Sequence, residues 1–345
     1  MALIGSINAP NAVFKNRLIN GNFDIAQRGT SFTSTGSANN DDTYTLDRWY
    51  ILSDGNDTID VTQTTTVPTG AQNSIGLDVE TINKKFGIAQ IIEASNCYDV
   101  IGGNVTLSFQ AKVSSVTKLD NIKCAIVAWS GTADTVTSDI ISAWGAEGTN
   151  PTLIANATYE NTPANLSVTT SFASYSVTAN VDTASTKNII VFIWSDVTDT
   201  TLGDFLHITN VQLESGSTAT GFDYRPFGTE LILAQRYFET TYPPGTAVGT
   251  ASADASAPVA FSMGDSSAVT QQIIWMYKVR KRSAPDVTVY NPNTGAAGSA
   301  RYAGSTNINF SAQGSRVDQA TFGSGTVGMA INNTFSYFMT ASSEL

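Results

Sequence analysis

Of the side chains most used for metal and nucleophilic chemistry, the chain has very few: two cysteines, Cys97 and Cys124, and one histidine, His207, in 345 residues. Two cysteines cannot build a disulfide framework, so they read as small buried hydrophobes. A Ser-His-Asp arrangement would have to be built around His207, and the chain has no G-x-S-x-G elbow, so His207 reads as a strand histidine with its hydrogen bonds satisfied. Charge is also scarce, at 14% of residues, and the net balance is −11. Nucleic acid is thereby excluded as a partner, because phosphate binding needs clustered Lys and Arg. No apolar run reaches the roughly eighteen residues that a membrane-spanning helix needs. The opening Met-Ala-Leu-Ile has no basic, apolar, small-residue leader pattern, so neither export nor membrane insertion is expected. There is no internal repeat of about 20 to 50 residues, which argues against a long parallel β-helix.

The chain abounds in Thr, Ser, Asn and Gly, the balance of a β-rich protein. The clearest strand is 105–113, where Val105, Leu107, Phe109, Ala111 and Val113 alternate with polar residues. Residues 171–181 alternate likewise, and 122–129 and 189–194 are nearly all apolar, as strands are when both faces are covered. Residues 17–25 read as a first strand kinked at Asn20-Gly21-Asn22, and Trp49 as a core anchor. In 206–213 the step of three between Ile208 and Val211 breaks the alternation, predicting a β-bulge near Thr209 and Asn210. Thr229 then caps a helix over about 230–240, with Leu231, Ala234, Tyr237 and Phe238 as its apolar face and Pro243-Pro244-Gly245 as its stop. Further strands are expected at 259–261, 271–279, 287–290, 308–310, 326–331 and 335–340.

The fold class is therefore all-β: an antiparallel jelly-roll sandwich, a short linking helix and a second, smaller β domain. The expected divisions are an N-terminal arm at 1–16, the jelly roll at 17–227, the helix at 228–245 and the C-terminal domain at 246–345. The arm has no core-forming pattern and reads as a peptide that docks on another protein.

Three stretches carry a resemblance. Residues 211–238 run VQLE, small residues, an aromatic-x-x-Arg-Pro turn and a helix ending QRYF. Residues 16–33 with 46–50, and the closing FMTASSEL, complete the pattern. Together they resemble the tail fibre proteins of tailed phages and prophages, and the first half is similar to jelly-roll carbohydrate-binding modules. Ala26 departs from the pattern, which has Trp there.

The resemblance implies a virion protein that adheres to a host surface glycan, is not an enzyme, forms a homotrimer, and joins other tail or capsid proteins through its arm. Leu231, Ala234 and Phe238 would make the trimer contact. A Ca2+ ion, carried over from the modules, would sit between Asp24 and Asn210, although Asn210 stands where the modules prefer Asp. Tyr50, Trp129, Trp144, Tyr159 and Trp194 are candidates for sugar stacking, with Trp144 expected to be exposed in its Gly-containing segment. In the C-terminal domain, Tyr290, Asn291 and Asn293 in one loop, with Arg301 and Tyr302 in another, are the expected receptor contacts. Lys278, Arg280 and Arg282 read as one solvated or intersubunit strand face. A fibre-borne glycan hydrolase or esterase and a purely architectural subunit are the competing readings. For the former, Asp196, Asp199 and Asp204 share a loop that reads as solvated.

Overall fold

The computed structural model describes residues 14–33, 37–183, 185–252, 261–263, 268–269, 272–302, 306–324, 327–328 and 333–345. Among these, the first β unit comprises β1 (Ser31–Phe32), β2 (Tyr50–Ser53), β3 (Ile59–Thr64), β4 (Ser74–Val79), β5 (Phe86–Ile92), β6 (Asn104–Val113), β7 (Ile122–Trp129), β8 (Ile141–Ala143), β9 (Thr152–Leu153), β10 (Ala157–Tyr159), β11 (Ala173–Asn180), β12 (Asn188–Ser195) and β13 (Phe205–Ser215). One sheet has the order β1-β3-β4-β13-β6-β11 and the other β10-β7-β12-β5-β2, with every pairing antiparallel. The sandwich expected from the alternation at 105–113 is present: Val105, Leu107, Phe109, Ala111 and Val113 all enter the core between the sheets. Trp49 is fully buried there, its ring centroid 5.3 Å from that of Phe23.

The apolar runs at 122–129 and 189–194 are buried on both faces for a visible reason. Cys124 and Ile126 face the inter-sheet core, while Ala125 and Val127 face a second cluster on the outside of their sheet. That outer cluster is closed by Trp129, Trp144 and Ile140, by Ala234 and Tyr237, and by Leu345. Cys97 and Cys124 are free and buried, and desolvation pushes both thiols up to about 12, as expected of inert core cysteines.

The expected strand at 17–25 does not form. Asn20 and Phe23 take left-handed φ of 58° and 57°, and the Asn20 side chain bonds both backbone groups of Ile25. Gly21 approaches so closely that a Cβ there would lie 2.0 Å from the Val211 carbonyl oxygen. Side chains do the pairing instead: Gln90 both donates to and accepts from the Ile19 backbone at 2.8 Å. Residues 1–13 of the expected arm lie outside the described residues. Asn16 is already built in, donating to the Val211 carbonyl at 2.9 Å and accepting from the Leu213 amide at 3.1 Å.

The helix, α1 (Phe227–Gln235), starts earlier and stops sooner than the periodicity predicts. Pro226, not Thr229, is its N-cap, because the Pro226 carbonyl already takes the amides of Thr229 and Glu230. It ends because the chain turns into β14 (Phe238–Thr240), which pairs with the closing strand near Ser342. Phe238 is thus a strand residue, and both it and Ala234 are buried within their own chain.

The second β unit contains β15 (Phe261–Met263), β16 (Ala268–Val269), β17 (Gln272–Met276), β18 (Asp286–Tyr290), β19 (Ser299–Tyr302), β20 (Thr306–Ser315), β21 (Gln319–Ser324), β22 (Val327–Gly328), β23 (Asn333–Ser336) and β24 (Phe338–Ser342). Its sheets are β14-β24-β18 and β15-β23-β19-β20-β21-β17, with a separate β16-β22 pair. The strand expected at 259–261 falls largely outside the described residues, as does most of 326–331. The strand expected over 271–279 stops at Met276, so Lys278, Arg280 and Arg282 do not share one strand face. Lys278 and Arg280 are exposed, while Arg282 donates to the carbonyls of Ser343 and Glu344 at 2.9 and 2.8 Å. Between them Lys281 is buried against Glu239 at 2.7 Å.

The loop expected to be solvated at Asp196 is not. Asp196 is fully buried and holds Lys85 on one oxygen and Lys123, at 2.6 Å, on the other. Lys85 in turn donates to the carbonyl of Ala146 at 2.7 Å, tying down the Gly-containing loop. Removing one partner of a buried ionic group leaves the others uncompensated, at a cost of about 3–5 kcal/mol. Asp196→Ala is therefore expected to lose roughly that much in urea denaturation, and a loss below about 1 kcal/mol would show that the two ammonium groups find water instead.

Candidate functional site

The groove best built for a ligand lies on the outer face of the first sheet. Phe109 and Tyr175 pair across β6 and β11 and turn inward, their ring centroids 6.1 Å apart. Strand alternation then sets Ser108 and Gln110, with their partners Ser176 and Ser174, on the outside. The bulge predicted near Thr209 and Asn210 is present, as a register shift between Thr209 and Gln212 with Asn210 at φ 53°. It brings the Asn210 side chain to this face, where its Nδ2 donates to Gln110 Oε1 at 2.8 Å.

Beyond the bulge, Gln212 and Glu214 hold the loop that walls the groove. Glu214 accepts from the Thr220 amide and hydroxyl, both at 2.7 Å, and Gln212 accepts from the Asp223 amide at 2.8 Å. The loop presents Phe222 and Tyr224 edge to face, with centroids 4.8 Å apart. The Tyr224 hydroxyl donates to the Gly70 carbonyl at 2.8 Å and lies 3.3 Å from Asn210 Oδ1, yet the residue is 52% exposed. The result is a cavity of about 430 Å³ with a fixed aromatic ring and a row of hydroxyl and amide groups, and none of its lining side chains is charged. Such a surface suits a neutral, polyhydroxylated ligand: a ring tethered at its hydroxyl stacks on an apolar face with little loss of entropy, and the amides read hydroxyls.

The residues expected to bind sugar lie elsewhere. Trp144, expected to be exposed, is 9% exposed and packs edge-on against Phe192 at 5.9 Å, because the 130–159 excursion folds back over the second sheet. Tyr50, Trp129 and Trp194 are buried in the same outer cluster, Trp129 bonded to the Thr132 carbonyl at 3.0 Å and Trp194 stacked on Phe192 at 4.4 Å. Tyr159 is half-buried, its hydroxyl bonded to the Pro151 carbonyl at 2.8 Å. In the second unit, Asn291 is buried and donates to Asn307 Oδ1 at 2.9 Å. Arg301 and Tyr302 are strand residues of β19, not loop residues, and the Tyr302 ring packs on Phe335 at 5.3 Å. Tyr290 is half-buried beside Tyr242, and of these five only Asn293 is exposed.

The positions carried over for calcium do not fit the ion. Asp24 spends its two oxygens on Asn73 and Asn22, at 2.8 and 2.5 Å, and burial raises its pKa. Asn210 is committed to Gln110 and Tyr224. One carboxylate is few for an ion that takes about six to eight oxygens, and no group of three or more His, Cys, Asp or Glu is placed for a metal among the described residues.

His207 departs from the reading of a satisfied strand histidine. Its Nδ1 is buried without a hydrogen-bond partner, and its ring stacks on Phe205 at 4.4 Å, opposite Gly76, whose missing side chain makes the room. Of the other acids, Asp204 accepts from Thr201 and Ser114, and Asp199 pairs with Lys118 at the surface.

Compared with protein-family models and with curated proteins, the chain matches none. Among solved structures it is similar to the enzymatically active domain of bacteriophage CBA120 tailspike protein 4, at 17% identity and TM-score 0.34, covering 58% of this chain and 21% of that one. It is also similar to a family 16 carbohydrate-binding module, at 15% identity and TM-score 0.28, over 44% of this chain and 84% of the module. A third is the CBM22-1 xylan-binding domain of Paenibacillus barcinonensis Xyn10C, at 11% identity and TM-score 0.30, over 56% and 99%. The chain thus spans about a fifth of the tailspike domain's length.

Sequence reasoning missed Gln110, Phe222 and Tyr224. A signal was present in Gly221-Phe222-Asp223-Tyr224, two aromatics spaced by one residue just before the Arg-Pro turn.

His207 supplies a pH test. Burial, with Lys112 adding to it, pushes its pKa down from 6.5 to about 4. The unfolded chain therefore takes up a proton between these values that the folded one refuses, so stability falls as pH drops through that window. Measured against a His207→Phe variant by urea unfolding, the wild type should lose ground steadily from pH 6.5 to pH 4 and hold a constant offset above pH 6.5. An offset independent of pH would mean that the folded protein protonates His207 normally.

Proposed function

We propose that the protein is a structural fibre protein of a tailed-phage virion that adheres to a glycan on the host cell surface, and that the groove under Tyr224 makes the contact. The observation that carries this reading is the combination of an exposed tyrosine tethered at its hydroxyl with a lining that carries no charge among the described residues. Motif resemblance at residues 16–50, 211–238 and 338–345 supplies the virion setting. Relative to the sequence expectation, the receptor contact moves from the C-terminal loops to the first β unit. The action is adhesion without cleavage; of the three acids weighed for hydrolysis, Asp196 is committed to two lysines.

Mutation tests the groove directly. Losing a central aromatic contact costs about 2 kcal/mol, or roughly thirtyfold in affinity. Tyr224→Ala should weaken glycan binding and competition with phage adsorption by about that factor, and Gln110→Ala by roughly tenfold, while Asn293→Ala leaves both unchanged. The opposite pattern returns the contact to the C-terminal unit, and release of sugar or acetate from host envelope would make the protein a hydrolase or esterase.

The same reading includes a homotrimer joined to the particle by the arm. Ala234 and Phe238 are used inside the chain, so the apolar surface left on α1 for neighbouring copies is Phe227 and Ile232, 61% and 55% exposed. Light scattering should give three times the chain mass, falling on Phe227→Asp with Ile232→Asp. A chain lacking residues 1–13 should keep that mass and fail to join particles; a monomeric wild type, or full incorporation of the shortened chain, overturns the respective half.

A further inference from the structure

A second cavity, of about 580 Å³, is lined by residues of both β units. It has the opposite chemistry. Its walls are mostly apolar, with Phe32 and Tyr44 from the first unit facing Tyr290 from the second and Thr288 and Thr340 between them. Among the described residues its one lining cation is Arg28, whose side chain is only 10% exposed. The Arg28 guanidinium is clamped: it lies 3.7 Å above the Phe238 ring and 5.5 Å from the Tyr44 ring, and its Nη2 donates to Glu344 at 2.9 Å. Its Nη1 is buried and has no hydrogen-bond partner at all. Nη1 has no surface of its own in the cleft; a buried guanidinium donor left without an acceptor is costly, and a ligand oxygen recovers that cost once the guanidinium turns Nη1 toward it.

We propose that this cleft is a distinct binding site and that it takes a carboxylate-bearing sugar, the carboxylate accepting from Arg28 and the pyranose ring lying among the aromatic side chains. Planar guanidinium donors match carboxylate oxygens best, and this one is held beside the cleft by the Phe238 ring and Glu344. The acids around Arg28 leave room for a ligand anion. Glu344 is shared between Arg28 and Arg48, so one carboxylate faces two guanidinium groups. Asp47 is engaged by the Gln27 amide and side chain, both at 2.6 Å, and burial raises its pKa toward the neutral form. Asp286 lines the cleft but is exposed, where solvent screens it. The site does not depend on the neutral-glycan groove.

The test is calorimetric titration of the full chain with digalacturonic acid and, as the uncharged control, its methyl diester. The acid should bind at least about tenfold more tightly than the ester, since a charge-assisted hydrogen bond is roughly twice as strong as a neutral one. Arg28→Lys keeps a cation facing Glu344 but loses the fork, and should lose about tenfold for the acid with the ester unchanged. Thr288→Trp fills the cleft and should abolish binding of both probes, whereas Tyr224→Ala should leave the acid's affinity intact. Melting temperatures establish that each variant is folded; should Arg28→Lys unfold, Thr288→Trp reads the cleft by itself. Equal affinity for acid and ester, no binding of the acid up to about 10 mM, or binding lost with Tyr224→Ala and kept with Thr288→Trp would each overturn the proposal.

Discussion

One buried carboxylate, that of Glu344, joins parts of the chain that are far apart in sequence. Arg48, in a left-handed conformation at φ 71°, reaches it from the first β unit, and Arg28 joins from the segment before β1. Arg48 also stacks at 3.7 Å on Tyr237 and donates to the Ile91 carbonyl at 2.5 Å. Tyr237 and Arg236 in turn bind Glu93 at 2.8 and 2.7 Å. Two domains that met through a small polar surface would move relative to one another, but here ionic groups are buried at the seam and any opening leaves them uncompensated.

This seam and the 130–159 excursion decide which faces are covered. Ala234 and Tyr237 of the α1 region and Leu345 join the outer cluster that holds Tyr50, while Trp129 bonds to the Thr132 carbonyl and Trp194 stacks on Phe192, itself against Trp144, so none of the three rings is free. The first sheet keeps its outer face, and the bulge at Asn210 with the loop hung from Glu214 turns that face into a groove. The seam also leaves a gap at its own edge, where Arg28 is held with one donor unused. The groove on the first sheet, lined by uncharged residues, thus comes from the bulge and its loop, and the cleft beside Arg28 from the seam.

A chain with few charges uses several of them inside. Lys85, Lys123 and Asp196 hold the loop at Ala146, and Lys281 with Glu239 holds the junction of α1 and β14. Buried ion pairs contribute little net stability but penalise any other arrangement of their neighbours. Here each one pins a loop or a strand end whose polar sequence would leave it free.

Local pattern alone was enough for much of the scaffold. The two-residue alternation at 105–113 and 171–181, the double burial of 122–129 and 189–194, the core position of Trp49 and the bulge near Asn210 are all legible because each follows from side-chain period and the apolar character of neighbouring residues. What no local pattern contains is which face another segment will cover. Trp144 reads as exposed until its own excursion folds back, Phe238 reads as helix until β24 offers a strand partner, and residues 17–25 read as strand until Asn20 and Gln90 bind the backbone by side chains. Tyr224 looks like a turn residue until Gly70, distant in sequence, accepts its hydroxyl and fixes its ring. Sequence by itself determined the strands and the class of fold, since those depend on neighbours a few residues away. Only the tertiary structure decided which aromatic rings are free and which buried donor of Arg28 lacks an acceptor, because both depend on contacts between segments far apart in sequence.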